Sequence, residues 1–365
     1  MKACINGIGV VGGFGCGIDA LVECLERGVS PLPSFSGDND SEAFYPAYIA
    51  DTSYLGSVFP KKALRRIDHF SQLALTGAFL AINDAGGVDS LDRHSTGLVI
   101  CSGYGSAKTT FSFLDSLIDF GDTCASPTLF SNSVHNAAAG HISILLGLEG
   151  PCLTVSQFEM SVPSGLLSAM QWLDEGRVDK VLFGAVDEYC NVLGYCYQRY
   201  YGRRDDLEMS PFVPDQQTAV PAEGAVFFIL SKSDSAEDDY CVISSVKTSG
   251  RADRNKTLTA DSFYILNADG HKECDKHYSN VIPQNSPVSC YTPLYGSMPV
   301  GPAFDMAIAS VSFREGKLFQ SPGSVGILPD LQILKEHHAM DRKSISCIKV
   351  GREGESGIIK LSKHI

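Results

Sequence analysis

The chain has 365 residues, of which 44% are hydrophobic and 19% charged, and its formal net charge is −13 at pH 7. A chain of this length can bury one large core or two fused halves, and the absence of low-complexity runs indicates a folded globular protein. The acidic balance argues against nucleic acid as a partner, because nucleic-acid binding requires a broad basic face.

The cysteines and the N-terminus bear on the cellular compartment. The twelve cysteines show no CxxC spacing, and several lie in strand-like runs, as Cys4, Cys101, Cys152 and Cys347 do. We therefore expect buried free thiols in a reducing compartment rather than a disulfide framework. No apolar run reaches membrane-spanning length, and the start (MKACINGIGVVGG) lacks a basic region and a cleavage site, which favours a cytoplasmic protein without a membrane span.

In chain order, the first predicted strand is residues 2–11, followed by a glycine-rich turn and a helix over Ile18–Arg27. The glycines suggest a dinucleotide fingerprint, but more glycines separate them from the helix, so no nucleotide cofactor is expected. A helical pattern over 61–86, broken near Asp68, opens with a basic run that on its own is typical of a solvated helix face: Lys61, Lys62, Arg65 and Arg66.

A buried strand is predicted over Thr96–Ser102, and the segment after it is rich in aromatic and aliphatic residues. Phe111, Leu114 and Phe130 are individually most typical of core positions. His135 and His141 lie in the stretch PTLFSNSVHNAAAGH, where a hydrogen-bonded structural histidine is the simplest interpretation of each.

The segment 150–189 organises the rest of the chain, and its pattern is strand, sharp turn, helix, strand. A strand is predicted over 152–155, and a helix over Ser161–Glu175, with Ser161 as a possible N-cap and Gly176 as its stop. The helix leaves little polar face, so we expect it to be buried. Its leading end should face an interior site that favours an anion or a thiolate, and Glu159 stands there.

This segment resembles the active-site segment of the β-ketoacyl-acyl-carrier-protein synthases, the thiolase-fold condensing enzymes of fatty acid and polyketide synthesis. Aligned without gaps from Gly150-Pro151 to Gly176, the nucleophilic cysteine of the family falls on Glu159. The resemblance implies an α/β fold, a thiolase-like five-layer αβαβα sandwich of two similar halves. We place these halves at residues 1–239 and 240–365, with the boundary at the acidic turn 234–239. We expect no cofactor and no metal ion.

In the second half, the resemblance locates the two histidines with which active synthases polarise the thioester carbonyl. The family motif NAHGT is matched by 267–271 (NADGH), which puts Asp269 at the first histidine position. Ser297 occupies the second, after Gly296, and Thr292 stands where a lysine is usual. The FGFGG turn of the family is matched by VGREG, with Arg352 in place of a gatekeeper phenylalanine.

Because the losses are concentrated at the chemical positions while the framework still aligns, we expect an inactive subunit. His271 stands two residues after the position of the lost histidine, and we expect this shift to point its side chain away from the site. The run HKECDKH offers His271, Cys274 and His277 as metal ligands, but no second pair supports such a site. The hydrophilic stretch 251–262 replaces a longer family insertion with a crossover helix, which shortens the second half.

Among relatives without the cysteine, chain-length factors match better than malonyl decarboxylases, because both histidines are missing. The resemblance implies a heterodimer with an active β-ketoacyl-ACP synthase, contact with acyl carrier protein through the basic run at 61–66, and a polyketide or aryl polyene product. It assigns Phe111, Leu114, Phe130, His135 and Phe158 to the acyl tunnel or dimer interface. Two alternatives stay open: a decarboxylase or acyltransferase using Glu159, His271 or Ser161, and a self-associating acyl-binding scaffold.

Overall fold

The computed structural model describes residues 2–31, 33–36, 45–202, 208–232, 240–250, 258, 262–326 and 331–363. The strands in these residues are β1 (Ala3–Gly12), β2 (Gly15–Cys16), β3 (Ser34–Ser36), β4 (Tyr45–Ala47), β5 (Thr96–Ser102), β6 (Cys152–Ser156), β7 (Lys180–Asp187), β8 (Gly224–Lys232), β9 (Cys241–Ser249), β10 (Phe263–Leu266), β11 (Ser286–Ser289), β12 (Lys317–Leu318), β13 (Leu331–Ile333), β14 (His338–Ala339), β15 (Ser344–Val350) and β16 (Ser356–Ser362). The α-helices are α1 (Ile18–Arg27), α2 (Leu55–Val58), α3 (Lys61–Leu64), α4 (His69–Asp84), α5 (Ala107–Phe120), α6 (Pro127–Asn132), α7 (Ala137–Leu146), α8 (Ser161–Asp174), α9 (Asn191–Tyr201), α10 (Lys272–Asp275), α11 (Thr292–Tyr295) and α12 (Gly301–Glu315).

Twelve strands form one sheet in the order β13-β11-β10-β15-β16-β9-β1-β8-β7-β5-β6, with β2 paired to β1. The two sides of this sheet repeat one arrangement. On one side β6, β5 and β7 are parallel, and β8 and β1 continue antiparallel. On the other side β11, β10 and β15 are parallel, and β16 and β9 continue antiparallel. The expected internal duplication is therefore present in the strand order, and β1 and β9 join the two copies.

Two helices lie between the two copies. Both α8 and α12 contact strands of each half, and one hydrophobic cluster contains side chains from both helices and both halves. Helices α4 and α7 cover the outer face of the first half in a second cluster. The outer face of the second half is covered by short elements, with Phe212 and Tyr278 in a third cluster. These layers agree with the predicted αβαβα sandwich.

The predicted bounds of β5 and α1 agree with the structure, and the predicted helix break near Asp68 separates α3 from α4. The prediction of Ser161 as an N-cap was wrong. Met160 is the N-cap of α8, and the Ser161 hydroxyl is buried without a hydrogen-bond partner among the described residues. Gly176 ends the helix region with φ of 65°, a conformation in which glycine carries no steric cost.

The prediction that α8 is buried on nearly all sides was also wrong, because the face with Leu167 and Gln171 is exposed. Cys152 is exposed, although we expected it to be buried, because it lies in β6, the last strand at this edge of the sheet. Cys4, Cys101 and Cys347 are buried as expected, and every cysteine with a described side chain is a free thiol. Among the described residues, no helix has the length and hydropathy needed to cross a bilayer.

Two predictions concern parts of the chain that the structure does not describe. The proposed boundary at 234–239 lies outside the described residues, so the division into 1–239 and 240–365 stays a prediction. The same holds for most of the shortened stretch 251–262. Helix α9 is described but was not predicted from the sequence.

Candidate functional site

A polar pocket forms where several elements of the two halves end near one another. Asp269 and His271 follow β10, Ser297 lies between α11 and α12, and Lys349 is near the end of β15. Glu159 lies in the 3₁₀ turn Phe158–Met160 that leads into α8. The structure thus brings together the three residues that our alignment matches to the chemical positions of the family. His271 and Lys349 lie beside them.

Asp269 and Lys349 form an ion pair in the interior. The Lys349 Nζ lies 2.8 Å from Asp269 Oδ2, and the two side chains are 1% and 7% exposed. Burial opposes ionisation of Asp269, but Lys349 and His271 together hold the pKa of this carboxyl below its usual value. Burial likewise opposes the charge on Lys349, and Asp269 raises the pKa of that amine. Both groups are therefore charged at neutral pH.

His271 lies inside this pocket, contrary to our expectation that its shifted position would re-aim it. Its Nε2 is 3.2 Å from Ser297 Oγ and 3.2 Å from the Tyr197 hydroxyl. The reason is Gly270, whose φ of 77° folds the chain back after β10. A side chain at this glycine would collide with Thr218 and the Ala219 backbone, so only glycine allows this turn.

The Glu159 carboxylate is partly exposed beside this pocket, and it forms no ion pair among the described residues. Phe158 precedes it with φ of 41°, an uncommon backbone conformation for a bulky residue. The Phe158 ring is 58% exposed and meets Tyr104 edge to face, with 6.1 Å between centroids. The turn therefore presents a carboxylate and an aromatic ring at the position that our alignment matches to the nucleophile of the family.

Asp187 fixes the loop that carries Tyr104. Its Oδ1 accepts hydrogen bonds from Ser102 Oγ, Gly103 N and Tyr104 N at 2.8, 2.9 and 3.0 Å. Burial raises the pKa of Asp187 to about 6, against the lowering effect of these hydrogen bonds. This carboxyl has a positioning role at the end of β5, and it is buried away from solvent.

Other candidate groups near the pocket are poorly suited to chemistry. Burial raises the pKa of the Cys274 thiol well above its usual value, so a reactive thiolate is disfavoured. Ser161 is fully buried. Thr292 donates to the Ala268 carbonyl, and Arg352 pairs with Glu273 at 2.8 Å. The described residues contain no group of three His, Cys, Asp or Glu side chains arranged to hold a metal ion.

Sequence reasoning missed three residues of the pocket: Lys349, Tyr197 and Gln217. Lys349 is the one charged residue of the buried strand SISCIKV, and a lone lysine in a buried strand is a signal that would have found it. Tyr197 lies on α9, which has no clear periodicity, and Gln217 lies in a loop. No pattern in the sequence distinguishes these two from surface residues.

The predicted tunnel residues lie together at the β6 edge of the sheet. Phe111 and Leu114 are 37% and 43% exposed, and Phe130 is 60% exposed, so the alternative that they are core residues was wrong. Helix α5 packs on α6, α6 on α7, and both α7 and α8 pack on β6. We call β6 and the exposed apolar side chains of the elements linked to it in this way the apolar edge face. Its side chains are Phe111, Leu114, Ile118, Phe130, Ile144, Phe158 and Leu167.

The two histidines of this region differ. His141 Nε2 lies 3.0 Å from Asn132 Oδ1, which confirms a hydrogen-bonded structural role. His135 is exposed and has no hydrogen-bond partner among the described residues, so that interpretation was wrong for it. Its ring instead packs against the backbone of Gly105, where an added Cβ would lie 1.8 Å from the ring.

The four basic residues of α3 and the turn after it are all exposed, and they form no ion pair among the described residues. We call Lys61, Lys62, Arg65 and Arg66 the basic patch. The carbonyl oxygen of Arg66 accepts a hydrogen bond of 2.8 Å from Asn132 Nδ2, which ties the patch to the end of α6. The basic patch therefore borders the apolar edge face.

Comparison with known proteins identifies the family. The profile described as "Beta-ketoacyl synthase, N-terminal domain" matches residues 5–236. The chain belongs to the β-ketoacyl synthase family. Among curated relatives, the 3-oxoacyl-[acyl-carrier-protein] synthase 2 of Staphylococcus aureus is 24% identical over 244 residues, which is 65% of this chain and 59% of the relative. The corresponding synthase of Vibrio cholerae is 22% identical over 246 residues, again 59% of its length.

Solved ketosynthases share the thiolase-like fold over the whole chain. The structure named "ishigamide ketosynthase/chain length factor" has a TM-score of 0.86 at 19% identity, covering 100% of this chain and 99% of that one. A β-ketoacyl synthase from Burkholderia phymatum gives 0.82 at 16% identity, covering 99% of both chains. A ketosynthase in complex with its type II acyl-carrier protein gives 0.79 at 15% identity, covering 99% of both chains.

Proposed function

We propose that this chain is a non-catalytic ketosynthase-like subunit, a chain-length factor. It pairs with an active β-ketoacyl-ACP synthase and shapes the acyl tunnel during elongation of a polyketide, aryl polyene or fatty-acid-like chain. The observation that carries this proposal is the occupancy of the three chemical positions by Glu159, Asp269 and Ser297.

Condensation needs a thiolate to hold the acyl chain and donors for the charge that develops on the thioester oxygen. A carboxylate at Glu159 is a poor attacker of a thioester. Asp269 is tied to Lys349, so the first histidine position carries an acceptor in place of a donor. Removing even one such donor typically costs about 3 kcal/mol of transition-state stabilisation, so this pocket is not suited to condensation.

The apolar edge face supports pairing with a partner subunit. Ile118 on α5 and Ile144 on α7 are each 80% exposed, which is unusual for large aliphatic side chains. Strand β6 ends the sheet, so one row of its backbone donors and acceptors is unpaired within the described sheet. A second sheet edge meeting β6 would satisfy these groups and bury the face.

Charge favours a different subunit over a second copy of this chain. Helix α5 carries exposed acids, Asp115 and Asp119, beside Leu114 and Ile118. A two-fold contact between identical chains sets the same patch against itself. Such a contact would bring these carboxylates near their own copies in a protein of net charge −13, which is unfavourable.

The basic patch supports contact with an acidic acyl carrier protein. Its cations are exposed and unpaired among the described residues, and they border the face on which the partner would sit. A carrier protein bound here would lie close to the shared interface. The structural likeness to a ketosynthase/chain length factor, and to a ketosynthase solved with its acyl-carrier protein, supports the same assignment.

The test is co-expression of the full chain with the β-ketoacyl synthase encoded beside it, followed by sizing of the complex. We expect a heterodimer that elongates acyl chains, while the isolated chain turns over neither malonyl- nor acyl-carrier protein. Ile144→Glu should weaken the complex by about 2 kcal/mol, roughly thirtyfold in Kd, because it buries a charge in the interface.

Val29→Glu provides the matched control, because Val29 is also an exposed aliphatic residue, at 68%, but lies after α1 and outside the apolar edge face. It should leave the complex intact. Turnover by the isolated chain would support the decarboxylase or acyltransferase alternative, and a homodimer that ignores the synthase would support the scaffold alternative. Either result would reject the proposed function.

A further inference from the structure

A chain of hydrogen bonds runs through the pocket from Gln217 to Lys349. Gln217 Nε2 is 2.6 Å from His271 Nδ1, and Gln217 Oε1 accepts from the backbone N–H of Lys272 at 3.2 Å. At the other end, the Ser297 hydroxyl donates to Asp269 Oδ2 at 3.3 Å, where the Lys349 ammonium also donates. His271 Nε2 joins the two ends through Ser297 Oγ.

The direction of each bond in this chain follows from its two fixed ends. The Lys272 backbone N–H can only donate, so the oxygen of the Gln217 amide must face it and the NH₂ group must face His271. His271 Nδ1 therefore accepts a hydrogen bond and carries no proton. In a neutral imidazole the proton is then on Nε2.

The other end agrees with this assignment. Asp269 is an ionised acceptor beside Lys349, so the Ser297 hydroxyl donates its one hydrogen bond to Asp269. The Ser297 oxygen is left to accept from His271 Nε2–H. Burial also lowers the pKa of His271, although Asp269 opposes this effect, and the ring is neutral at pH 7. His271 is thus a hydrogen-bond donor in this pocket and does not act as a base on Ser297.

The donor is available to a ligand. The distances from His271 Nε2 to Ser297 and to Tyr197 are both 3.2 Å, longer than the best hydrogen bonds, so a ligand oxygen can replace these contacts. Ser297 would keep its bond to Asp269. His271 is partly exposed, and the ring of Tyr201, 5.4 Å from that of His271, is 40% exposed, so this side of the pocket is in contact with solvent.

The charges around the pocket discriminate between ligands. Asp269 is paired with Lys349, and Glu273 with Arg352. Glu159 forms no ion pair among the described residues, so the described part of the pocket carries an excess negative charge. A neutral carbonyl group fits this charge, and a second carboxylate would be repelled.

We propose that Gln217 is a positioning residue that holds His271 as the Nε2–H donor, and that this donor binds the carbonyl oxygen of a neutral acyl thioester without a covalent bond. Glu159 excludes malonyl thioesters from the same place. The inference rests on the proposed function, since an acyl chain has to reach this subunit. In this proposal the pocket binds the acyl group and does not catalyse its condensation.

The tautomer is measured directly by ¹⁵N NMR of the full chain labelled at histidine, in which the two ring nitrogens have distinct shifts. We expect His271, assigned through His271→Gln, to carry its proton on Nε2. Gln217→Glu replaces the donor to Nδ1 by an acceptor, so the proton should move to Nδ1. Gln216→Glu adds the same charge at the exposed neighbouring residue and should leave the tautomer unchanged.

Binding is measured by calorimetry with octanoyl-pantetheine and malonyl-pantetheine as probes. Wild type should bind the octanoyl probe at least about tenfold more tightly than the malonyl probe, and Glu159→Gln should narrow this gap. Gln217→Glu should weaken octanoyl binding about tenfold, the value of one hydrogen bond, with Gln216→Glu unchanged. Circular dichroism establishes that each variant is folded.

An Nδ1–H tautomer in wild type, or octanoyl binding that does not respond to Gln217→Glu, would overturn the inference. So would equal affinity for the malonyl probe. The proposed function is tested separately, by co-expression with the synthase and sizing of the complex. A heterodimer whose subunit does not bind octanoyl-pantetheine rejects only this inference, and absence of a heterodimer rejects the proposed function whatever the tautomer.

Discussion

Asp269 and Lys349 place two opposite charges in the interior, at the ends of β10 and β15. Desolvating two ions is expensive, and the pair is stable because each ion compensates the other. The Lys349 ammonium also donates to the Asn267 carbonyl at 3.3 Å, so it is bonded on two sides. Removing one partner leaves the other as an uncompensated buried charge.

We therefore predict that Lys349→Met lowers the free energy of unfolding by about 3 kcal/mol, measured by urea denaturation at pH 7. The double variant Lys349→Met/Asp269→Asn removes both charges and should recover most of this loss. If the double variant is as unstable as the single one, the loss comes from packing around Lys349, and the ion pair contributes little.

At the scale of elements, Gly105 sets the approach of the loop after β5 to the segment before α7. Its φ is 63°, and an added Cβ would lie 1.8 Å from the His135 ring. Strain and collision therefore act together at this glycine. At Gly316, the residue after α12, φ is 65° and nothing lies within 4 Å of an added Cβ. Comparing alanine substitutions at the two glycines therefore separates the energetic cost of the backbone conformation from the cost of the collision with His135.

We predict that Gly316→Ala costs about 1 kcal/mol of folding stability, and that Gly105→Ala costs a further 1–3 kcal/mol, roughly the cost of overpacking. Thermal and urea unfolding of both variants measures the difference. His135→Ala in the Gly105→Ala background should return the cost to that of Gly316→Ala. Equal costs for the two single variants would mean that the His135 ring moves aside freely.

Elements also differ in how well the sequence predicts them. β5 is a short, mostly apolar run between turn signals, so its ends were predictable to the residue. Helix α9 was missed because NVLGYCYQRYY mixes aromatic and polar residues without a 3.6-residue period. The place of His271 was mispredicted because the turn at Gly270 reverses the chain, and spacing along a sequence carries no information on such a turn.

At the scale of the whole molecule, buried acids make stability depend on pH. Burial raises the pKa of four carboxyls: Asp187 to about 6, Asp275 and Asp305 to about 7, and Glu188 to about 8. A carboxyl whose pKa is higher in the folded state binds more protons there. Its contribution therefore favours folding at low pH and is lost as the pH rises through the folded-state value.

Asp305 tests this statement. It is fully buried in α12, and it accepts hydrogen bonds from Tyr295 at 2.7 Å and Asn267 at 2.8 Å. Because its pKa rises from 3.8 to about 7, wild type should lose up to about 1.4 kcal/mol per pH unit, relative to Asp305→Asn, between pH 5 and pH 7. Urea denaturation of both proteins from pH 5 to pH 8 measures this difference.

The surface variant Asp174→Asn, on the exposed end of α8, should follow wild type at every pH. Parallel curves for wild type and Asp305→Asn would show that Asp305 does not ionise in this window. The large-scale architecture was accessible from the sequence because the segment 150–189 resembles a family whose fold consists of two similar halves. The pocket was not fully accessible, because its hydrogen-bond chain joins Gln217, His271 and Lys349 from distant parts of the chain.

The unpaired edge of β6 has a consequence for how such a subunit is produced. A free strand edge surrounded by apolar side chains is a template on which other chains can stack. If the proposed heterodimer is right, copies of this protein made in excess of the synthase would be prone to aggregate and to be degraded. Synthesis of the two polypeptides in matched amounts would then protect this edge.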